Sequence, residues 1–583
     1  MADGSSDEGA AVRRGRLRDR VPVRLRHHWK PAATLGVGLA AMVYFLGDAR
    51  ISPYVTSSSR VEADAITENI QGTVGLYDTS AKHSIQLAYQ QTDFNKMMKE
   101  FKDDGTKDYI EADLTIDGVY LNDVGIRLKG NSTLSSLRGN KGMPGGGRDL
   151  PEGAQGAPAG GAPGAPGAAG NGGGAGKAGA KGGAPVPTDG KGGAGGAAGG
   201  MGGMVQYDLS AQKPEELPWL VKIDEYVEGR AYQGEREISL RPGSNDQVPL
   251  NEALALSLTG ESEQKAERYA FTELKVNNRP AAARLMVEAP DTDYADDVSD
   301  GNGVLYKARA SGSFDYKGDD PSDYETSFKQ LNKKGSQDLE PVMKLIRWVN
   351  AASDKEFARD LDKYVDVDSL ADYVASQNLL LNFDDMAGPG KNYLLWYDLD
   401  TKKFSVLGWD YNLTFSGDAT AGPDDSISMG GGMPGGTAGK GATAGKGASG
   451  APQGQPGAMP DGTPSGMPEG MPEGMPEGVP GGAAGGQDGG KGAKGGMGGM
   501  MQHILKTRFQ DSEAFDDVYM KAYQKLFQKF YGSGTAAQDL KAIAEQARSA
   551  GADSKKLDTA VTKLEKTVTD RTTALAADKK VTG

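Results

Sequence analysis

Two adjacent carboxylates, Asp384 and Asp385, open a loop through Gly388-Pro389-Gly390, and an amide, Asn392, starts the strand that follows. That strand, Asn392 to Trp396, turns through Asp398-Leu399-Asp400, returns as Lys403 to Leu407 and delivers Trp409-Asp410 at its end. A hairpin of this kind brings Asp384, Asn392 and Asp410 to one edge. Carboxylates with an amide oxygen suit Mg²⁺ completed by phosphate oxygens, and a spare carboxylate can orient a hydroxyl for attack on phosphorus. On spacing alone the same residues serve equally as turn formers. Paired-carboxylate glycoside hydrolysis also stays open, because nothing in the sequence sets a carboxylate separation.

Other chemistries are closed. No cysteine occurs, which removes disulfides, thiol nucleophiles and thiolate metal sites. The four histidines are His27, His28, His83 and His503, the first two in a basic flank, so a His-based triad or multi-histidine metal centre is excluded. No GxxxxGK[ST] motif is present, which rules out a P-loop. Asp296 to Lys307 fails as a calcium loop, with Val298 at a ligand position and Lys307 where the closing Glu belongs.

The elements that must position these residues come in two groups. Phe94, Met97, Met98 and Phe101 follow Asp93 at helical spacing, which predicts an amphipathic helix with Asp93 as its N-cap. Tyr109 to Ile116, Asp117-Gly118 and Val119 onward read as a hairpin with a two-residue turn. Strand character recurs in Pro218 to Gly229, Arg236 to Pro242, Tyr269 to Asn277 and Ala282 to Glu288, with a helix over Leu250 to Leu258. From residue 338 the period turns helical, with Val342, Leu345, Ile346 and Val349 on one face and a helix ending at Asn382. Strands first and helices afterwards predict an α+β fold of two lobes.

Glycine divides the chain further. Of 86 glycines, residues 141–204 hold 27 and residues 429–500 hold 28. Both tracts are low in complexity, the second with three copies of Met-Pro-Glu-Gly between Met467 and Gly478, and such composition predicts disordered insertions. The expected order is a basic cytoplasmic segment (1–31), a membrane anchor (32–47) and a linker (48–70). The first lobe follows in two parts, 71–141 and 205–337, around a Gly/Ala/Pro insertion at 142–204. The second lobe (338–415), a Gly/Met/Pro insertion (416–500) and C-terminal helices (501–583) complete it. The anchor rests on the uncharged run Ala32 to Gly47 behind seven arginines, and the positive-inside rule places the large domain outside a cell membrane in a single pass. A cleaved leader competes with that reading. The net charge of −14 argues against a nucleic-acid partner.

Several of these motifs together resemble a known family. VGIRLKGNST, KIDEYVEG, the Leu240 to Ala255 stretch, LKVN, LYKA, NFDD with KNYLLW, and GWDYNLTF occur in the order typical of the CotH family of spore-coat kinases. The resemblance implies an atypical protein-kinase-like fold that uses ATP with Mg²⁺ or Mn²⁺ to phosphorylate Ser or Thr of envelope or spore-surface proteins. It implies Asp384 as the catalytic carboxylate, with Asn392 and Asp410 as metal ligands. It further implies Lys222 as the phosphate-pairing lysine with Glu252 as its ion-pair partner. Arg127 and Lys129 read equally as phosphate contacts or as solvated strand residues, and Lys307, at a position that fits the family, as a phosphate contact or as a surface lysine after a strand. The family commonly has Asp-Ser where this chain has Asp384-Asp385. A member that has lost catalysis would instead serve as an envelope or spore-coat scaffold.

Overall fold

A computed structural model describes residues 65–130, 132–142, 207, 209–243, 248–427 and 502–583, all within one compact unit. Alternation of buried and exposed residues builds its first half. After β1 (Glu68–Ile70) come β2 (His83–Tyr89), α1 (Gln91–Asp103), β3 (Ile110–Ile116) and β4 (Val119–Leu128). Asp117 and Gly118 join β3 to β4 with φ of 48° and 87°, the left-handed pair that a two-residue hairpin turn demands. Then follow β5 (Trp219–Lys222), β6 (Arg230–Tyr232), β7 (Glu237–Leu240), α2 (Leu250–Glu261), β8 (Tyr269–Val276) and β9 (Ala282–Glu288). Seven of these strands close a barrel in the order β2-β3-β4-β5-β7-β9-β8, antiparallel throughout except where β2 meets β8.

The barrel's core holds Leu87, Leu114, Ile126, Leu128, Val221, Ile238 and Leu240. Helix α1 adds Phe94, Met97, Met98 and Phe101 to it. Fully buried Trp219 lies 6.1 Å from both the Tyr89 and the Phe94 rings. Asp93 sits inside the first turn of α1 and Gln90 takes the cap position, which corrects the expected N-cap. Because Ile126, Leu128, Val221, Ile238 and Leu240 point inward, Arg127, Lys222, Ser239 and Arg241 point out. The register holds these outward residues side by side, with Arg127 opposite Leu220, Leu220 opposite Ser239 and Lys222 opposite Glu237.

A short α3 (Thr292–Asp296) packs in a small separate cluster with Leu305, Leu331, Leu394 and Trp396, and a second core gathers α2 with β10 (Gly303–Ala308), β11 (Phe328–Gln330), α4 (Glu340–Ala351), α5 (Asp354–Asp360) and α6 (Val367–Leu379). It continues through β12 (Tyr393–Asp398), β13 (Phe404–Gly408), α7 (Ile504–Asp511), α8 (Asp516–Phe527), α9 (Thr535–Ser549), α10 (Ser554–Ala577) and α11 (Lys579–Thr582). The four strands form an antiparallel sheet, β11-β10-β12-β13. Helix α2 is apolar nearly all round and packs with Phe271, Leu285 and Val287 from the outer side of the barrel. A helix without a polar face must be covered on several sides, which makes α2 the joint between the two cores.

Three expectations change. Strand β1 pairs in parallel with β6, inside the segment taken as linker 48–70. The chain stays packed to residue 427, beyond the boundary at 416 drawn from composition. Asn378 donates to the carbonyls of Gly422 (3.2 Å) and Asp425 (3.0 Å), and buried Arg571 donates to those of Asn378 and Ala421. The single-pass anchor and the placement outside the membrane are also corrected. No helix among the described residues is long and apolar enough to cross a bilayer. The stretch 32–47 that suggested one lies outside those residues and is shorter than the about 20 apolar residues a spanning helix needs. Most of both glycine tracts likewise lies outside the described residues.

Candidate functional site

The site is built at the C-terminal end of α6. Leu381 takes φ 50° and the Asn382 amide returns to the Gln377 carbonyl at 2.9 Å, ending the helix and starting the Phe383-Asp384-Asp385 turn. The loop then folds back over Asp384. Its Oδ1 accepts from the Gly390 amide at 2.5 Å, and its Oδ2 accepts from Asn392 Nδ2 at 3.0 Å. A Cβ on Gly390 would stand 2.4 Å from Asp384 Oδ2, and one on Gly388 would stand 2.5 Å from the Asp384 Cα. Both glycines are therefore required by close approach rather than by backbone torsion. Burial, followed by the charges of Asp410 and Asp385, pushes the Asp384 carboxyl up to about 6. Asp385 turns the other way, accepting from the Ala387 amide at 2.8 Å and pairing with Lys506 of α7.

Opposite stands Asp410, delivered by β13 with φ 57°. Positive-φ non-glycine backbone recurs through this segment, at Leu381, Lys391, Lys402, Asp410 and Phe415, each costing on the order of 1–3 kcal/mol, as it does at turns elsewhere in the chain. Asp410 Oδ1 is buried without a hydrogen-bond partner, 3.8 Å from Arg241 Nη2. Arg241 also pairs with buried Glu252 of α2 at 2.6 Å. Around the neighbouring Trp409 ring stand three cations, Lys307 at 3.5 Å, Lys129 at 5.7 Å and Arg241 at 5.9 Å from the centroid. Burial, with repulsion from Arg241 and Lys307, lowers the Lys129 ammonium to about 7. An anion entering this cluster offsets the repulsion among the cations and favours the charged form of Lys129 against its burial.

The fold thus gathers Asp384, Asn392, Asp410, Lys129, Lys307 and Glu252 into one region, joined by Arg241. Lys222 and Arg127 form a separate group on the outward barrel face, 5.8 Å and 5.1 Å from the Tyr109 ring. The expected Lys222–Glu252 pair does not form. Lys222 Nζ bonds Glu225 at 2.7 Å, beside Asp224 at 3.9 Å, because these acids follow it directly in the turn after β5. Glu252 instead meets Arg241, which leaves the end of β7 toward α2. Sequence reading missed Arg241, Trp409 and Lys506. Alternation in REISLRP sets Arg241 on the same face as Ser239, a signal for its direction, but nothing local points to Glu252 or to Trp409.

A divalent ion of the kind that the resemblance implies fits this donor set in one way. Among the described residues no group of three or more His, Cys, Asp or Glu gathers closely enough to hold a metal. Two carboxylates and an amide do converge, and Asp410 Oδ1 lacks a hydrogen-bond partner. Such a set suits Mg²⁺, which takes one or two carboxylates plus water and substrate phosphate oxygens, rather than an all-protein cage.

Comparison with known proteins adds to this geometry. The family model described as CotH kinase protein matches residues 208–452. A curated relative, inner spore coat protein H of Bacillus subtilis (strain 168), is 24% identical over 198 residues, 33% of this chain. The match spans about half of that relative's length, 54%.

Proposed function

We propose that this chain, whose residues 208–452 carry the CotH family's domain, transfers the terminal phosphate of ATP to a Ser or Thr hydroxyl of a spore-surface protein. In this reading the barrel and the helical core are the two lobes of a kinase-like enzyme, and the cations around Trp409 hold the phosphates. The observation that carries it is the convergence of Lys129, Arg241 and Lys307 on one side of the site with Asp384, Asn392 and Asp410 on the other.

Each residue has a task that follows from its surroundings. Gly390 and Asn392 clamp Asp384 by one bond to each oxygen, leaving a lone pair on each for an incoming hydroxyl. Asp384 therefore orients the hydroxyl and takes its proton as the new O–P bond forms and the bond to the nucleoside diphosphate breaks. Asp410 and Asn392 supply hard oxygens to Mg²⁺ or Mn²⁺, which when bound neutralises charge on the phosphate oxygens. Glu252 fixes Arg241 between itself and Asp410, so the guanidinium is set before any phosphate arrives. Lys222 and Arg127, on the same barrel face, stand by the Tyr109 ring apart from the Trp409 cluster and are given no phosphate contact in this scheme.

The test uses the full chain with labelled ATP, Mg²⁺ or Mn²⁺ and spore-surface protein. Asp384→Asn is expected to abolish transfer with nucleotide affinity retained, and Asp410→Asn to weaken the metal-dependent part of nucleotide binding in calorimetry. Nucleotide binding without transfer by the unaltered protein would leave a non-catalytic scaffold. Absence of nucleotide-dependent thermal stabilisation, which reaches about 2.7 kcal/mol at one hundred times Kd, would end the reading altogether.

A further inference from the structure

Beside the Asp384 loop, on the side of α7, lies a cavity of about 400 Å³ that the phosphoryl-transfer scheme does not use. Arg309, Phe314, Lys391, Tyr393, His503 and Arg508 are among its walls, and Asp315 is the one acid in its lining. Three features mark it as a seat for an anion. The first is charge, since Arg309, Lys391 and Arg508 line it with a single carboxylate, in a protein whose net charge is −14, and of the three Arg508 already pairs with Asp354. Arg508 is also held in place, through the Val349 carbonyl at 2.6 Å and Asp354 at 3.1 Å.

The second feature is the start of α7. His503 is its N-cap residue, no side chain caps its opening amides, and no acid stands in its first turn. Gln502, His503, Ile504 and Thr507 line the cavity. Free amides and the positive end of the helix dipole attract negative groups there. The third is His503 itself, only 4% exposed, whose Nε2 lies 3.0 Å from the Tyr393 hydroxyl while its Nδ1 has no hydrogen-bond partner. The Arg309 Nε is likewise buried without one.

Position then limits the occupant. Lys391 lines the cavity and directly precedes Asn392, whose side chain touches Asp384 at 3.0 Å. One chain step, about 3.8 Å between Cα atoms, separates the Lys391 wall from the residue that touches Asp384, so the cavity lies within a few residues of extended peptide from a hydroxyl held at Asp384. The aromatic rings of Phe314 and Tyr393 fit the aliphatic stem of a side chain whose tip is charged. We propose that this cavity takes an acidic side chain of the protein substrate, a carboxylate or a phosphate monoester, a few residues from the accepting hydroxyl. The role as a substrate subsite rests on the phosphoryl-transfer reading; the capture of an anionic peptide does not.

The test uses the full chain and Ser-containing peptides carrying Glu, phosphoserine or Gln at each of the second to fifth positions from the acceptor. Binding is measured without nucleotide by fluorescence anisotropy, and transfer by initial rates. At one of these positions, Glu or phosphoserine is expected to tighten binding and lower KM about tenfold against Gln, with kcat unchanged. Arg309→Gln removes that gain and leaves the rate on the Gln peptide intact. A larger gain with phosphoserine, competed by inorganic phosphate, assigns the site to phosphate, and an equal gain assigns it to carboxylate. Position-dependent binding without transfer on any peptide keeps the cavity's assignment and sinks the kinase reading. Transfer without any acid preference, or a preference that survives Arg309→Gln, overturns the proposal.

Discussion

Gly390→Ala isolates the clamp on Asp384 from every other part of the site. The added methyl would lie 2.4 Å from Asp384 Oδ2 and 2.9 Å from both Cγ and Oδ1, where ordinary contact needs more than 3.4 Å. Gly390 is not among the residues with positive φ, so alanine meets no backbone penalty and the clash must be relieved by movement of the carboxylate or the loop. A shift of about 1 Å at a reacting group costs on the order of 10²-fold in rate, roughly 2.7 kcal/mol of transition-state stabilisation. Overpacking itself costs about 1–3 kcal/mol of fold stability. Urea unfolding and steady-state transfer kinetics with ATP separate the two effects. The expected result is a kcat about one hundredfold lower, KM for ATP little changed, and a modest fall in the denaturation midpoint. Full turnover in Gly390→Ala would refute the idea that this loop sets the position of Asp384.

Glu252→Gln removes the close ion pair of buried Arg241, leaving Asp410 at 3.8 Å and the charge of Glu267, and is expected to cost about 3–5 kcal/mol of stability. The double change Arg241→Met with Glu252→Met should recover most of that stability while losing nucleotide binding, as read by urea unfolding and calorimetry. Lys506→Met strands the Asp385 carboxylate next to Asp384 and should destabilise by about 3 kcal/mol, with Asp385→Ser restoring much of the loss in the same unfolding assay. A pH effect is expected at the β3–β4 turn. The hydrogen bond that buried His83 donates to Asp117, 2.7 Å away, raises the imidazole above its ordinary 6.5, so its contribution is full below that value and fades as pH rises through the folded one. Burial would raise Asp117, but bonds from His83 and Ser84 outweigh it and hold it below 3.8, so its contribution fades as pH falls through that lower value. Unfolding free energy from urea titrations should peak between the two, and Asp117→Asn should flatten both limbs.

Much of the architecture is legible in local pattern. Phe94, Met97, Met98 and Phe101 define α1 by their spacing alone, and Asp117-Gly118 declares the hairpin because few other pairs tolerate two left-handed torsions. The Asp384 loop and the Asn392 strand are also local, since the clamp joins residues only six and eight positions apart. The order of motifs, read as a resemblance to the CotH family, agrees with the matching family model.

What the chain order conceals is decided by long contacts. The parallel closure of β2 on β8 joins residues nearly two hundred positions apart, and no periodicity encodes a partner at that distance. Arg241 meets Glu252 rather than leaving it to Lys222 because barrel closure aims the end of β7 at α2, whereas Lys222 is captured by Glu225 three residues on. Lys506 reaches Asp385 across a whole glycine tract, and Trp409 collects Lys129, Arg241 and Lys307 from three distant strands or strand ends. Side-chain type and spacing settle which elements form, since those depend on neighbours in sequence. Which charges share a cavity depends on how two cores pack, and only the tertiary structure carries that.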